Sequence, residues 1–296
     1  MMKNKKLYTA VGLMVLICAA AAGFYFSSLV YRLDRLAAGK DCWVGAAVIA
    51  GSRSFVYEEG KYPLLSVFKL FIAVRVLDEL ERANADPDKV ELTITRSMID
   101  ERTYSPMRDE RRTYPYGISV ARLLEYMVAE SDNNAADILL AYTGGTEQMQ
   151  AYLKRLGFGE IEVSANEKEM NTDIAKQYVN RASPADVVRF LKTVREGDIL
   201  TPENRKFFDK IMTATVTGGD KLKAGLPQGT VFGHKTGSSS RTAEGIKIAD
   251  NDAGFVILPD GRTYYIAVMV SDSRMSDREN AALAAEISAV VYNRLR

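Results

Sequence analysis

The sequence predicts an α/β fold of the α+β type, in which an antiparallel sheet from both chain ends carries flanking helices and an inserted all-helical lobe. Three observations support this prediction. Short β-branched and aromatic runs lie near the start and in the last third of the chain, helical periodicity fills the stretch between them, and the final segment is again helical. With 296 residues, 47% of them hydrophobic, the chain suffices for one large domain or one domain of two lobes.

The first elements follow from apolar runs separated by turns. Residues 32–40 predict an amphipathic helix, and residues 43–50 predict a buried strand that a tight turn joins to a second strand over 54–58. A helix over residues 63–82 is predicted next. Pro63 suits a first helical turn, and the apolar residues after it recur with helical spacing.

Helices are predicted for the middle of the chain and strands for its last third. The helical segments are residues 119–130, 134–142, 147–156, 184–196 and 202–214. The strand segments are residues 230–235, 253–258 and 263–271. Ser276 and Glu279 form a capping box that begins the closing helix. Residues 32–296 therefore form one domain, with an α/β lobe at about 32–62 and 218–296 and a helical lobe at about 63–217.

The N-terminus predicts export. Three lysines within the first six residues precede an apolar run over residues 7–26, and small residues at 19–23 offer cleavage sites. This is the layout of a signal peptide over residues 1–23. An uncleaved anchor is the alternative, since residues 7–31 are long enough to cross a bilayer. We expect an exported, periplasmic protein that contacts the membrane only through this segment, if it is retained.

Charge and composition argue against several classes of function. Lys and Arg (39) nearly balance Asp and Glu (38), and no long basic run supports nucleic-acid binding. One histidine, His234, and two cysteines, Cys18 and Cys42, make a catalytic zinc site implausible. Cys18 lies in the leader, so the mature chain would have no internal disulfide. We expect a monomer with no metal, no cofactor and no nucleic-acid partner.

The stretch Ser66-Val67-Phe68-Lys69 is the first candidate for chemistry. A helix places residues three apart on one face, so the Lys69 amine would stand beside the Ser66 hydroxyl. A lysine partly desolvated by apolar neighbours could accept the proton of the serine and turn it into a nucleophile. Taken alone, this spacing is also what an ordinary helix with a solvated lysine shows.

Two further motifs strengthen the interpretation. Ser131-Asp132-Asn133 separates two predicted helices, where a short polar turn can face a cleft. Lys235-Thr236-Gly237 closes a predicted strand, where glycine lets a ligand approach the backbone. Each is weak alone, but all three in this order indicate a serine-based site. His234 should face the opposite side of the strand from Lys235, which predicts a packed histidine and not a Ser-His-Asp triad.

With these motifs the chain resembles the class A serine β-lactamases from about Trp43 to its C-terminus. Within that class it is most similar to the broad-spectrum cephalosporinases of Bacteroides and its relatives. The resemblance implies the β-lactamase/transpeptidase-like fold and hydrolysis of the β-lactam amide bond of penicillins and cephalosporins through a serine acyl-enzyme. It implies Ser66 as the nucleophile, Lys69 as a group that helps to activate it, and Ser131 as the relay of a proton to the departing lactam nitrogen.

The resemblance also implies a set of residues around the bound substrate. They are Tyr104 at the mouth of the site, Asn133, Asn171, Lys235, Thr236, Gly237 and Ser238. Asn133 would hold the side-chain amide of the substrate, and Lys235 and Thr236 would hold its carboxylate. The backbone N–H groups of Ser66 and Ser238 would form the oxyanion hole.

Glu167 distinguishes a β-lactamase from related proteins. Glu167 and Asn171 lie four residues apart, as in the loop of the family. The resemblance implies that Glu167 activates water against the acyl-enzyme and that Asn171 helps to position this water. A peptidoglycan DD-peptidase (a penicillin-binding protein) and a membrane-bound β-lactam sensor share the other motifs but deacylate slowly. Both are alternatives against which Glu167 argues.

The chain departs from the family in the loop that carries Glu167. Many class A enzymes clamp this loop with an arginine two residues before the glutamate and an aspartate nine residues after the asparagine. Here these positions are Ala165 and Asn180, so that ion pair cannot form. We expect Asn180 and local backbone bonds to hold a rearranged loop, with more room beside Ser66 for bulky oxyimino side chains. The alternative is a loop on the usual path, held by other contacts.

Overall fold

The computed structural model describes residues 29–296. The signal peptide predicted over residues 1–23 lies outside the described residues. Residues 29–37 form a helix, α1, and the chain divides after Gly39 into two compact units, of which the second is Lys40–Arg296. Among the described residues, no helix is long and apolar enough to cross a membrane.

A five-stranded antiparallel sheet forms the centre of the second unit. The strands of this unit are β1 (Trp43–Ala50), β2 (Arg53–Tyr57), β3 (Tyr62–Pro63), β4 (Glu91–Ile94), β5 (Tyr116–Ser119), β6 (Arg181–Ala182), β7 (Val231–Ser238), β8 (Lys247–Ile257) and β9 (Thr263–Ser273). The order in the large sheet is β2-β1-β9-β8-β7, so two early strands are completed by three late ones. This arrangement confirms the predicted fold class.

Helices cover the middle of the chain and its end. They are α2 (Lys69–Arg82), α3 (Pro106–Glu110), α4 (Val120–Ala129), α5 (Asn133–Tyr142), α6 (Gly145–Arg155), α7 (Glu167–Thr172), α8 (Pro184–Glu196), α9 (Pro202–Thr213) and α10 (Asp277–Leu295). Apart from the start of α2, the predicted helices are confirmed within a few residues, and side-chain caps mark the starts of α4, α5, α8, α9 and α10. Ser276 and Glu279 form the predicted capping box of α10.

The two faces of the sheet are covered by different helices. Side chains alternate along a strand, so neighbouring residues of β9 point to opposite faces. The Tyr265 hydroxyl donates a hydrogen bond of 3.0 Å to Glu196 of α8. Tyr264, its neighbour in β9, interacts with Tyr292 of α10. The edge strand β7 packs against α9 and against the turn that leads into α2.

Two sequence predictions were wrong in ways that matter for the site. Pro63 does not begin a helix, because Tyr62 and Pro63 pair with Arg181 and Ala182 as the short strands β3 and β6. Strand β8 begins at Lys247, six residues before the predicted start at Ala253, because its first half is buried although it is polar. A small pair of strands, β4 and β5, was not predicted.

Candidate active site

Ser66 lies in a tight turn between strand β3 and helix α2. Residues Leu65–Phe68 form a 3₁₀ turn that leads into α2, and Leu65 has a positive φ of 45°. Strand β7 packs directly on this turn, since a Cβ at Gly237 would lie 2.4 Å from the Leu64 carbonyl oxygen and 3.2 Å from the Ser66 nitrogen. Glycine is therefore required where the turn of Ser66 meets the strand.

Lys69 is completely buried behind Ser66. Its Nζ lies 2.9 Å from Glu167 Oε1 and donates hydrogen bonds to the Ser131 carbonyl oxygen (2.7 Å) and to Asn133 Oδ1 (2.6 Å). A buried ammonium group needs such partners to offset its lost hydration. The sequence prediction of a desolvated lysine beside Ser66 agrees with this position.

Glu167 brings Ser66 and Lys69 together at one oxygen atom. Ser66 Oγ donates a hydrogen bond of 3.2 Å to Glu167 Oε1, the same atom that contacts Lys69 Nζ. Glu167 is the first residue of α7, whose start is fixed by a capping box between Asn166 and Glu169. A serine hydroxyl within reach of a buried carboxylate and a buried amine can lose its proton and attack a carbonyl carbon.

Asp137 holds the start of α7 in place. It lies one turn after Asn133 on α5, so one helix face reaches both Lys69 and α7. Its Oδ1 accepts a hydrogen bond from the Glu167 N–H (2.7 Å), and its Oδ2 accepts one from the Lys168 N–H (2.9 Å). Sequence reasoning missed Asp137. Its position four residues after Asn133 was the only available signal.

The pH dependence of turnover should reveal this contact. Burial raises the pKa of Asp137 to about 6, so its carboxylate takes up a proton as the pH falls through that value. A protonated carboxyl loses acceptor capacity, so α7 should loosen and kcat should fall below pH 6. Asp137→Asn cannot titrate, and we expect its pH profile of kcat to lack this step.

The free energy of unfolding should rise over the same pH range in which kcat falls. Because the folded pKa lies above the ordinary value of 3.8, the folded chain binds this proton more tightly. Protonation of Asp137 therefore adds stability as the pH falls from 6 towards 3.8. The Glu167 carboxylate also raises this pKa, and the Lys69 ammonium lowers it. A fall in kcat that simply followed unfolding, measured by circular dichroism, would contradict the assignment to Asp137.

Ser131 connects the Lys69 side of the site to strand β7. It has a positive φ of 61° at the break between α4 and α5, and its Oγ accepts a hydrogen bond of 2.8 Å from Lys235 Nζ. Burial, and then the nearby positive charge of Lys69, hold the pKa of Lys235 well below its usual range. A hydroxyl that accepts a hydrogen bond from a buried amine can pass a proton to a leaving group.

The Ser131–Asn133 turn is held by its middle residue. The buried Asp132 carboxylate accepts hydrogen bonds from Ser105 Oγ (3.0 and 2.8 Å), the Met107 N–H (2.8 Å) and the Ala135 N–H (2.8 Å). These bonds cap α5 and attach it to the segment that precedes α3. The flanking Ser131 and Asn133 side chains are thereby directed towards Lys235 and Lys69.

Asn133 and Tyr104 lie at the helical side of the cleft. Asn133 Nδ2 donates to Thr103 Oγ1 (2.7 Å), and its backbone N–H donates to the Tyr104 carbonyl oxygen (3.1 Å). Tyr104 itself is 56% exposed. Asn171 is exposed at the end of α7, and among the described residues its side chain has no hydrogen-bond partner.

The remaining predicted residues lie along β7. Thr236 Oγ1 is 2.7 Å from Thr217 Oγ1, a hydroxyl that the sequence did not single out. Ser238, the last residue of the strand, donates from Oγ to Asp250 Oδ1 at 2.6 Å. The structure therefore brings the serine-lysine, serine-asparagine and lysine-threonine-glycine motifs to one cleft.

Asn180 holds the loop that carries Glu167, as the sequence predicted. Its Oδ1 accepts hydrogen bonds from the Ser164 N–H (2.7 Å) and the Ala165 N–H (2.9 Å), and its Nδ2 donates to the Ala165 carbonyl oxygen (2.8 Å). The Asn180 carbonyl oxygen also accepts from the Leu64 N–H (2.8 Å). The side-chain amide of Asn180 thus stands where the family has its ion pair. The backbone carbonyl of the same residue connects the loop to the turn of Ser66.

His234 is a packed residue behind the site, also as predicted. It is buried, stacks on Phe232, and its Nδ1 is 2.8 Å from Asp252 Oδ1. Lys235, the next residue, contacts Ser131 on the opposite face. The histidine and aspartate form a pair, but the strand separates this pair from the Ser66 cleft.

Comparisons with known proteins agree with this geometry. Residues 29–295 match the family described as the beta-lactamase enzyme family. The chain is 41% identical to a beta-lactamase from Bacteroides uniformis, over 91% of this chain and 92% of that protein. It is 33% identical to the extended-spectrum beta-lactamase PER-1 of Pseudomonas aeruginosa, over 88% and 85%. A class A beta-lactamase from Bacteroides cellulosilyticus superposes with a TM-score of 0.89 at 41% identity, over 92% of this chain and 98% of that one.

Proposed function

Because this chain belongs to the class A β-lactamases, which hydrolyse the cyclic amide of β-lactam antibiotics, we propose that Ser66 carries the covalent intermediate of that reaction. The observation that carries the proposal is the meeting of Ser66 Oγ and Lys69 Nζ at one oxygen of Glu167. The family accounts for a role in antibiotic resistance. The residue roles are our proposal, and peptide mapping of the covalent adduct tests them.

In the acylation step, Ser66 Oγ attacks the lactam carbonyl carbon while its proton passes to the Lys69–Glu167 pair. The developing oxyanion is stabilised by the N–H groups of Ser66 and Ser238. The Ser66 nitrogen lies 3.2 Å from the position of a Cβ at Gly237, the residue before Ser238. The lactam nitrogen receives a proton from the Ser131 hydroxyl, and Ser131 Oγ takes up a proton in return from Lys235 Nζ, which donates to it. The C–N bond breaks and leaves an ester on Ser66.

Substrate binding falls to the groups that line the cleft. The ammonium of Lys235 and the hydroxyl of Thr236 attract the substrate carboxylate, with Thr217 as an added donor. Asn133 orients the side-chain amide, and the exposed ring of Tyr104 covers the mouth. In deacylation Glu167 removes a proton from water, and the water oxygen attacks the ester carbon. The bond to Ser66 Oγ then breaks, and Ser66 Oγ takes the proton from Glu167 as the carboxylic acid product leaves. Asn171 lies one turn further along α7.

The alternative functions gain no support. A DD-peptidase or a β-lactam sensor stalls at the acyl-enzyme, whereas Glu167 lies within hydrogen-bond distance of Ser66 Oγ. The relatives reported above are all named as beta-lactamases. Steady-state turnover of nitrocefin distinguishes a β-lactamase from these alternatives. A peptidase or a sensor would release one burst of product and then stop hydrolysing.

We further propose activity on bulky oxyimino-cephalosporins. The loop that carries Glu167 depends on the Asn180 amide in place of an ion pair. A cavity of about 580 Å³ borders the same loop and is lined in part by Asn166, Lys168 and Asp137, so α7 has space on its outer side. The relative PER-1 is named as an extended-spectrum enzyme.

A comparison of two cephalosporins tests this specificity. Cephalothin has a small side chain and cefotaxime has a bulky oxyimino one. If the site beside Ser66 is wide, we expect kcat/KM for cefotaxime to lie within about tenfold of that for cephalothin. A value for cefotaxime more than about a hundredfold lower would show that the wider site is absent.

We also propose that the protein is exported to the periplasm as a monomer. The charged and apolar pattern of residues 1–26 supports export. Osmotic-shock fractionation with N-terminal sequencing of the released protein tests the proposal. Protein that stays with the membrane and begins at Met1 would favour the uncleaved anchor, and protein in the cytoplasm would contradict export.

A further inference from the structure

Strand β8 contains a buried polar run at its centre, Asp250-Asn251-Asp252. These residues are 4%, 0% and 0% exposed, within a strand that is otherwise apolar in its second half. Burying polar groups lowers stability unless each finds a partner. The side-chain partners of this run lie in β7, in the segment before β7 and in the turn before Ser66.

The two aspartates hold β7 and the segment that leads to it. Asp250 Oδ1 accepts from Ser238 Oγ at 2.6 Å and pairs with Lys221 Nζ at 2.5 Å. Asp252 contacts His234 through Oδ1 (2.8 Å) and accepts from the Leu222 N–H through Oδ2 (3.2 Å). Both aspartates therefore act on the same face of the sheet, behind the strand that carries Lys235.

Asn251 points to the other face, towards the turn of Ser66. Its Nδ2 donates to the carbonyl oxygens of Pro63 (2.7 Å) and Leu64 (3.2 Å). Across the ladder Asn251 pairs with Gly237, whose missing side chain leaves the space through which the amide reaches these carbonyls. Two successive carbonyl groups are thus bound by one buried side chain, immediately before Leu65 and Ser66.

The backbone at this point is strained. Leu65 has a positive φ of 45°, a conformation that a residue with a branched side chain rarely adopts. Such a conformation persists only where surrounding contacts determine it. The amide of Asn251 supplies such a contact from a strand that is far away in sequence. Within residues 29–296 the buried Oδ1 of Asn251 has no hydrogen-bond partner, so this position uses the donor end of the side chain.

We propose that Asn251 is a positioning residue for the nucleophile. Its amide binds the Pro63 and Leu64 carbonyls and so sets the turn that aims the Ser66 hydroxyl and N–H at the lactam carbonyl. The proposal rests on the role of Ser66 given above. It assigns to the polar half of β8 a function in acylation, in addition to its place in the sheet.

Asn251→Leu tests the proposal, since leucine fills a similar volume without the two donated bonds. Stopped-flow acylation with nitrocefin gives the acylation rate constant and the dissociation constant of the noncovalent complex. We expect the rate constant to fall about a hundredfold and the dissociation constant to stay within about threefold, because misplaced reacting groups slow the chemical step and leave binding intact.

Asn280→Leu is the matched control. Asn280 is equally buried, its Oδ1 accepts a hydrogen bond of 2.7 Å from Ser273 Oγ, and its Nδ2 has no partner among the described residues. It lies on α10, which carries none of the site residues. We expect its acylation rate constant to stay within about threefold of the wild type. If Asn251→Leu does not fold, Asn251→Ser, which keeps one donor, should show a smaller fall in the same constant.

Two results would overturn the proposal. One is a folded Asn251 variant that acylates at the wild-type rate. The other is an Asn280→Leu variant that loses as much acylation as Asn251→Leu, which would mean a general effect on stability. Failure of the Ser66 assignment is a separate result, because Ser66→Ala would then keep its turnover whatever Asn251 does.

Discussion

Ser66→Ala is expected to lower kcat for nitrocefin by about 10⁴-fold or more, since removal of a catalytic nucleophile leaves only the contribution of binding and of the oxyanion hole. The substitution removes only the hydroxyl group, which donates a hydrogen bond to Glu167 Oε1, and Glu167 keeps its contact with Lys69. The variant should therefore fold, with a melting temperature close to that of the wild type. The measurement is steady-state hydrolysis beside a thermal melt.

Ser52→Ala is the control for this substitution. Ser52 is an exposed serine in the turn between β1 and β2, so its replacement should change neither turnover nor stability. Near-normal turnover by a folded Ser66→Ala variant would contradict the assignment of the nucleophile. It would direct attention to Ser131, whose hydroxyl accepts a hydrogen bond from the buried Lys235.

Glu167→Ala is expected to separate the two half-reactions. Lys69 keeps its bonds to the Ser131 carbonyl and to Asn133, so Ser66 can still be acylated. Water activation is lost, and general-base catalysis contributes on the order of 10²–10⁴-fold, so deacylation should slow by that factor. Intact-protein mass spectrometry after mixing with a cephalosporin should show a single adduct that persists for many wild-type turnover times.

The control is Glu160→Ala, which removes an exposed carboxylate whose ion pair is with Lys61 on the surface. We expect no persistent adduct in this variant, since exposed ion pairs contribute little. Rapid loss of the adduct from Glu167→Ala would place the deacylating role on another residue. Failure to form any adduct would mean that Glu167 is required for acylation as well.

The sequence predicted the fold because most elements have local signals. Apolar periodicity and capping residues located α8, α9 and α10, and β-branched runs located β1 and β9. Pro63 misled the prediction, because a proline fits an edge strand as well as a first helical turn. Its partner, Arg181, lies more than a hundred residues away, and no local pattern reveals such a pairing.

Site residues that belong to short contiguous motifs were predicted from the sequence. Site residues that act only through tertiary contacts were missed. The three motifs identified Ser66, Ser131 and Lys235. Asp137 and Asn251 were not found, because each acts on backbone groups of a distant segment. Polar residues inside a strand also break the hydrophobic pattern on which strand prediction depends, which is why the first half of β8 was missed.

The position of the covalent adduct tests the central claim most directly. Glu167→Ala is mixed with a cephalosporin, quenched in acid, digested with trypsin and analysed by tandem mass spectrometry. Cleavage after Lys61 and Lys69 releases residues 62–69, whereas Ser131 falls in a different peptide, because Arg122 and Lys154 flank it. We expect the added mass on Ser66 within residues 62–69. An adduct on Ser131, or on any other residue, would contradict the mechanism proposed here.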